Sequence, residues 1–323
     1  MNAEKHLISE KVAIGQANSK LILVGEHAVV HGQPAIAIPF PLIGAESVVE
    51  YVPGAVKIDS AFYHGPIESA PKTIQGIASS IKATLEVLNL PCRDLLISIS
   101  SSIPPGKGLG SSASVAIAVI KSLFEYADVE YTKEQVLHLV NIAETHAHGS
   151  PSGIDPLTIT SESPVWFERE RPADYIKPKG DFYFIVADTG READTKSAIA
   201  SVMDLLKRTP ETVQRNIERL GEITHLARQA LEKASKQLLG QLLNEAQKEL
   251  EALGVSDAGL NRLIYYALQE GALGAKLTGG GNGGCIVALA RNEMHSQELT
   301  EKLKRAGAQA VWPFVLKNNE LDQ

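Results

Sequence analysis

Cysteine is scarce in this chain: two in 323 residues, Cys92 and Cys285, far apart and in no metal-ligand spacing. That excludes a disulfide scaffold and suits a reducing cytoplasm. Long apolar runs are missing too. No stretch reaches the roughly 18 apolar residues of a membrane span, and no basic-then-apolar leader marks secretion. Positive charge is in deficit, with 31 Lys and Arg against 38 Asp and Glu and a net charge of −7. This balance argues against a protein that coats nucleic acid. It leaves anionic small ligands open, because screening over roughly 8 Å lets local lysines and helix termini decide a buried site. Low-complexity tracts and short repeats are absent. What is present, 44% hydrophobic and 21% charged residues, is the composition of a soluble globular protein long enough for two domains.

The most informative segment is Pro104-Pro105-Gly106-Lys107-Gly108-Leu109-Gly110-Ser111-Ser112-Ala113-Ser114. It follows a β-like run, Leu95 to Ser100, and opens into an apolar helical pattern, Val115 to Ile120. Alternating glycines let the backbone turn tightly and present N–H groups at a helix N-terminus, where the dipole favours an anion. The expected guest is a phosphate chain. The spacing is not that of a P-loop, because Lys107 falls between the first two glycines. Nor is it a dinucleotide fingerprint, because the third glycine comes one residue early. A plain strand-to-helix turn would carry the same glycines. The paired serines favour the ligand site, since hydroxyls suit a Mg²⁺–phosphate complex.

Three further segments carry candidate chemistry. Lys20 leads the strand Leu21 to Val24, and Gly25-Glu26-His27-Ala28-Val29-Val30-His31-Gly32 follows at its end, where ligands commonly meet a sheet. A helix is expected over Thr132 to His148, with Thr132 and Gln135 as a capping box and Val136, Leu139, Val140, Ala143 and Ala147 as its buried stripe. Glu144 continues that row, so a cation is expected beside its carboxylate. His146 and His148 flank it but share no helical face, which rules out a zinc site there. The turn His148 to Pro156 holds one acid, Asp155, in a constrained setting that suits a general base and equally an ordinary helix-ending loop. The last segment is Lys276-Leu277-Thr278-Gly279-Gly280-Gly281-Asn282-Gly283-Gly284-Cys285, whose glycines suggest close backbone approach to a ligand or another loop.

Elsewhere, strands are expected at Ile36 to Ile38, Ser47 to Val52, Phe182 to Ala187 and Ile286 to Ala290. Helices are expected at Ile74 to Leu88, Val202 to Leu205, Val213 to Lys233, Leu238 to Leu250 and Ala258 to Glu270. The Pro/Gly/Lys-rich stretch Lys177 to Gly180 marks a domain change, giving 1–178 and 179–323.

Taken in order, the four segments resemble the GHMP kinase superfamily, and within it the chain is similar to the mevalonate kinase family, from about Lys20 to the C-terminal strand. The resemblance implies an α+β, two-domain fold. Its N-terminal lobe would be like domain 2 of ribosomal protein S5, and its C-terminal lobe an α/β sandwich. It implies ATP-dependent phosphorylation of the mevalonate 5-hydroxyl. Pro105, Gly106, Lys107, Gly108, Leu109, Gly110, Ser111 and Ser112 would wrap the ATP phosphates, with Ser101 close to the nucleotide. Ser112 and Glu144 would hold Mg²⁺. Asp155 would act on the hydroxyl with Lys20 beside it, Glu26, His27 and Thr195 would lie near the substrate, and the Gly279 to Gly284 loop would close over the site. Members are often homodimers; a cytoplasmic enzyme with no nucleic-acid or membrane partner is expected. Two departures stand out: Asn18-Ser19 replaces the usual Pro-Gly before Lys20, and Ala193 replaces an arginine near Thr195. Arg191 and Lys196 are then the nearby cations for the substrate carboxylate. Phosphomevalonate kinase, another small-alcohol kinase and a non-catalytic nucleotide-binding homologue remain the alternatives. After Gly25-Glu26-His27 the chain departs from the pattern of galactokinases, which ends in an Asp-Tyr pair, and the Lys-Tyr-Trp-Gly-Lys segment of the diphosphomevalonate decarboxylases is absent.

Overall fold

The computed structural model describes residues 11–148, 152–193 and 195–318, the side chains of 147, 148, 195 and 196 excepted. The chain gathers into two compact units interleaved in sequence. The first runs up to Lys20 and takes Phe40–Pro104 and Gly110–Glu162; the second takes Leu21–Pro39, Pro105–Leu109 and the chain from Ser163 on.

In the first unit, β1 (Val12–Val24) and β2 (Ala35–Ala55) are long strands that continue into the second unit. The two expected strands at Ile36 and Ser47 are thus one element: Pro39, Pro41 and Gly44 read as breaks between them but lie within the extended backbone of β2. A hairpin of β3 (Lys57–Ser60) and β4 (Tyr63–Pro66) follows, then α1 (Gln75–Val87) and β5 (Arg93–Ser101). β5 lies parallel to β3 and antiparallel to β2, with Ser98 opposite both Asp59 and Val48. Three helices complete the unit: α2 (Ser111–Tyr126), α3 (Lys133–His148) and α4 (Ile154–Ile159). The capping box forms as expected. The Thr132 amide donates to Gln135 Oε1 at 2.8 Å and the Gln135 amide to Thr132 Oγ1 at 3.2 Å. Val136, Leu139, Val140 and Ala143 pack on Ala113, Ala116, Ile117 and Ile120 of α2 in one apolar cluster. Cutting Leu139, Ile117 or Ile120 to Ala removes about 2–5 kcal/mol.

In the second unit, Ala35–Ala37 of β2 pair antiparallel with β6 (Val165–Phe167), which pairs with β7 (Asp174–Tyr175). After β8 (Phe182–Asp188) come α5 (Thr195–Arg208), α6 (Pro210–Glu232), α7 (Lys236–Ala252) and α8 (Ala258–Gln269). Then follow β9 (Gly274–Thr278), β10 (Cys285–Ala290), α9 (Glu293–Arg305) and β11 (Ala310–Leu316). These strands form an antiparallel sheet in the order β11-β8-β10-β9. One side of this sheet is sealed: every residue of the edge strand β9 and of its neighbour β10 is buried. Among the described residues no helix is long and apolar enough to cross a membrane.

Candidate active site

Within the first unit, Lys20 and Asp155 form an ion pair, Nζ to Oδ1 2.8 Å; the lysine side chain is 4% exposed and the aspartate 27%. Asp155 stands in the first turn of α4 rather than in the constrained loop the prolines and glycines suggested. A helix can begin there because Pro156 falls in its first turn, where no intrahelical N–H partner is needed. Gly110 serves this pair directly. It has φ 76°, and a Cβ there would lie 3.0 Å from Lys20 Cγ and 3.3 Å from Ile159 Cδ1. A side chain there would crowd the lysine stem and would have to adopt a left-handed backbone that glycine takes freely.

Gly110 also heads α2, and among the described residues no side chain caps that helix. The sixteen-residue helix therefore offers its first amides and its dipole to an anion. The Ser114 hydroxyl anchors this end by donating to Asn18 O at 2.6 Å. Ser111 and Ser112 are half-buried in the first turn. Glu144 is 4% exposed on α3, and its neighbour Ala143 shares the apolar cluster with Ala113, the neighbour of Ser112. An alcohol and a carboxylate are hard oxygen donors of the kind Mg²⁺ takes, so this donor set fits the ion. Ser101 ends β5, accepting from the Ile103 amide at 3.2 Å.

Within the second unit, Glu26 and His27 follow β1 and are both buried. Glu26 Oε1 is paired with Lys276 Nζ, at side-chain exposures of 1% and 0%. Burial pushes the Lys276 ammonium below its usual range, against the pull of Glu26. His27 Nε2 bonds Gly280 O at 2.9 Å, and burial lowers its pKa below 6.5. The Thr278 hydroxyl donates to Ile22 O at 2.8 Å and receives the Ile22 amide at 3.2 Å, which fastens the end of β1 beside β9. The two glycine loops meet backbone to backbone. A Cβ on Gly108, which has φ 74°, would stand 3.0 Å from Gly279 Cα, and one on Gly279 3.0 Å from Gly108 Cα. Lys107 turns inward: its ammonium lies 3.0 Å from Asp188 Oδ1 and donates to Arg191 O at 2.8 Å. Pro105 and Gly106 are exposed, Gly108 is half-buried and Leu109 is buried.

The comparisons with known proteins agree over most of the chain. The family model for the GHMP kinases N terminal domain matches residues 73–161, and the model for the GHMP kinases C terminal matches 227–309. The mevalonate kinase of Pyrococcus abyssi is 32% identical over 318 residues, 92% of this chain and 93% of its own. The chain belongs to the GHMP kinases. Two solved structures are similar to this kinase throughout. The L. major mevalonate kinase in complex with R-mevalonate has a TM-score of 0.82 at 26% identity, covering 96% of this chain and 98% of that one. The mevalonate kinase from methicillin-resistant Staphylococcus aureus MRSA252 has a TM-score of 0.72 at 30% identity, covering 95% and 99%. The two-domain GHMP kinase fold expected from the motifs is the one observed.

Some expected residues of the kinase are not described. Thr195 opens α5, but its side chain and that of Lys196 lie outside the described residues, as do residues 149–151 of the turn before Asp155. Arg191, the other candidate cation, is paired with Asp257 at 2.8 Å and remains 59% exposed. Two buried charged residues had no role in the sequence reading, Lys276 and Asp188. A lysine inside a strand reads as exposed, and its partner Glu26 is 250 positions away. Asp188 reads as the polar end of a strand.

Proposed function

We propose that this chain transfers the γ-phosphoryl group of ATP to the 5-hydroxyl of mevalonate. The observation that carries the chemistry is the Lys20–Asp155 pair beside Gly110 at the head of α2. Similarity to mevalonate kinases over 93% of a relative's length selects the acceptor. The backbone of 106–110 and the first turn of α2, with Ser111 and Ser112, cradle the phosphates, and Pro105, Leu109 and Ser101 stay with the nucleotide. Lys107 takes part through its backbone, since its ammonium is engaged inside. Asp155 accepts the hydroxyl proton as the hydroxyl oxygen bonds to the γ-phosphorus. The bond from that phosphorus to the bridging oxygen breaks, and ADP leaves. Lys20 orients the carboxylate for this transfer.

Phosphoryl transfer asks the protein mainly for positioning, which supplies several of the roughly 7–11 kcal/mol available from proximity. Proton acceptance adds about 10²–10⁴-fold. Ser112 and Glu144 would hold Mg²⁺, which when bound neutralises charge on the phosphates. His27 and Thr195 flank the mevalonate side. Glu26 contributes through the turn it holds, because its carboxylate is taken by Lys276. We further infer a cytoplasmic enzyme, for which the family resemblance implies a homodimer, with domains divided at 178/179; each family match falls on one side of that cut, while residues 21–39 and 105–109 belong to the second compact unit.

A coupled ADP-release assay with mevalonate, phosphomevalonate, galactose and homoserine tests the reading. Turnover should be fastest with mevalonate. Preference for any other acceptor overturns the assignment.

A further inference from the structure

Lys107 is an unusual residue for a phosphate loop, because its charge is withdrawn from the loop. It stands between two left-handed glycines, Gly106 at φ 65° and Gly108 at φ 74°, so the chain there alternates in the manner of a backbone anion nest. Its side chain is 7% exposed and leads away from solvent to Asp188, itself 4% exposed. Asp188 is the last residue of β8, and its register is fixed on both sides, opposite Cys285 of β10 and Ala310 of β11. Its Oδ1 also accepts the Gly190 amide at 2.8 Å, so the carboxylate has one orientation. Around it the 105–109 stretch is tied at one further point, the Ala193 amide donating to Gly106 O at 2.6 Å, and Gly284 approaches it closely, since a Cβ there would lie 3.1 Å from Lys107 O. Burial raises the Cys285 thiol pKa, and the Asp188 charge raises it further while Lys107 opposes it. That pattern fits two opposite charges lodged beside the first residue of β10.

We propose that Asp188 is a positioning residue for the ATP phosphates: by holding the Lys107 ammonium inside, it sets the backbone of 106–109 in its anion-binding shape. The inference rests on the reading that this loop binds ATP. A nest works only while its peptide planes keep their orientation, and a loop rich in glycine does not keep it unaided. A paired ammonium on a rigid strand end supplies the missing constraint, as buried supporting residues do at other sites. The alternative is that Lys107 swings out and meets phosphate itself. The two cases differ in what the loss of Asp188 does. In the first, ATP binding weakens; in the second, the released lysine binds ATP as well or better.

The test is equilibrium binding of Mg²⁺–ATP to the full chain by titration calorimetry, with no acceptor present. Lys107→Met, Asp188→Asn, Asp188→Ala and the Lys107→Met/Asp188→Ala double variant are compared with wild type, and folding is followed by circular dichroism. Both Lys107→Met and Asp188→Ala should raise the Kd for ATP by about 10–100-fold, with Asp188→Asn between. The double variant should lose no more than either single, because both break one link. In turnover assays KM for ATP should rise while KM for mevalonate stays at the wild-type value, a split that general loosening of the fold would not give. Should Asp188→Ala fail to fold, Lys107→Met and Asp188→Asn decide the matter. Folded Asp188 variants that bind ATP as wild type does, or more tightly, overturn the inference alone. A wild-type chain that binds no ATP overturns the functional reading and this inference with it.

Discussion

Each unit contains a lysine–carboxylate pair with a nearly inaccessible lysine, yet the pairs differ at the carboxylate. Asp155 in the first unit keeps 27% of its side chain exposed, whereas Glu26 in the second keeps 1%. Charge pairing alone therefore does not mark a reacting group. A carboxylate that takes a proton from a substrate must be reachable by it, and a carboxylate sealed against its lysine can only hold structure. On the proposed function, side-chain exposure separates the carboxylate that reacts from the one that holds structure.

The strongest way to break this contrast is Asp155→Asn. The amide can still accept from Lys20 but cannot take the proton. The expected outcome is a fall in kcat of about 10²–10⁴-fold, with ATP affinity kept and the unfolding midpoint close to wild type. Near-normal turnover would remove Asp155 from the reaction. Lys276→Met should do the opposite. It leaves the Glu26 carboxylate buried without its cation, which costs about 3–5 kcal/mol of stability in urea unfolding. Adding Glu26→Gln should restore most of that loss, because the uncompensated charge is gone. Turnover per folded molecule should fall far less than in Asp155→Asn. A Lys276→Met chain with wild-type stability but Asp155-like loss of rate would erase the distinction.

The sequence showed the four motifs and most helices, and the motifs in order were enough to place Lys20 with Asp155. Its silences have physical causes. The first half of β1 goes unread because its buried positions are small (Ala13, Gly15, Ala17) while Val12 and Ile14 face out. Gly15 must be small, since a Cβ there would strike Ala118 O of α2. Hydrophobic alternation is thus inverted along a real strand. The short helix α4 hid behind Gly153 and Pro156, which read as a turn. The helix α9 is too polar on most faces to show a stripe. The two buried pairs of the second unit, Lys276 with Glu26 and Lys107 with Asp188, join residues 250 and 81 positions apart. Periodicity carries no trace of contacts that distant.

The smallest effect expected concerns His27, the neighbour of Glu26, and its sign follows from burial. The folded chain holds this imidazole neutral: burial lowers its pKa below 6.5, the hydrogen bond to Gly280 O resists, and the charges of Lys276 and His31 lower it further. Unfolded, the ring takes a proton as the pH falls through 6.5, while the folded ring does not follow until its own lower value is reached. The unfolded state then binds more protons, so stability falls with pH across that window and levels off below it. His31, also lowered by burial, adds to the slope with the same sign. Unfolding midpoints measured from pH 7.5 down to 5.5 should therefore decline, and His27→Asn should decline less steeply. Position 27 has φ 60° and ψ −42°, outside the left-handed helical region, so the variant is read by its slope with pH and not by its absolute stability. An unchanged slope in that variant would mean that the folded imidazole already exchanges protons with solvent, and the position beside Glu26 would then be no more sealed than Asp155.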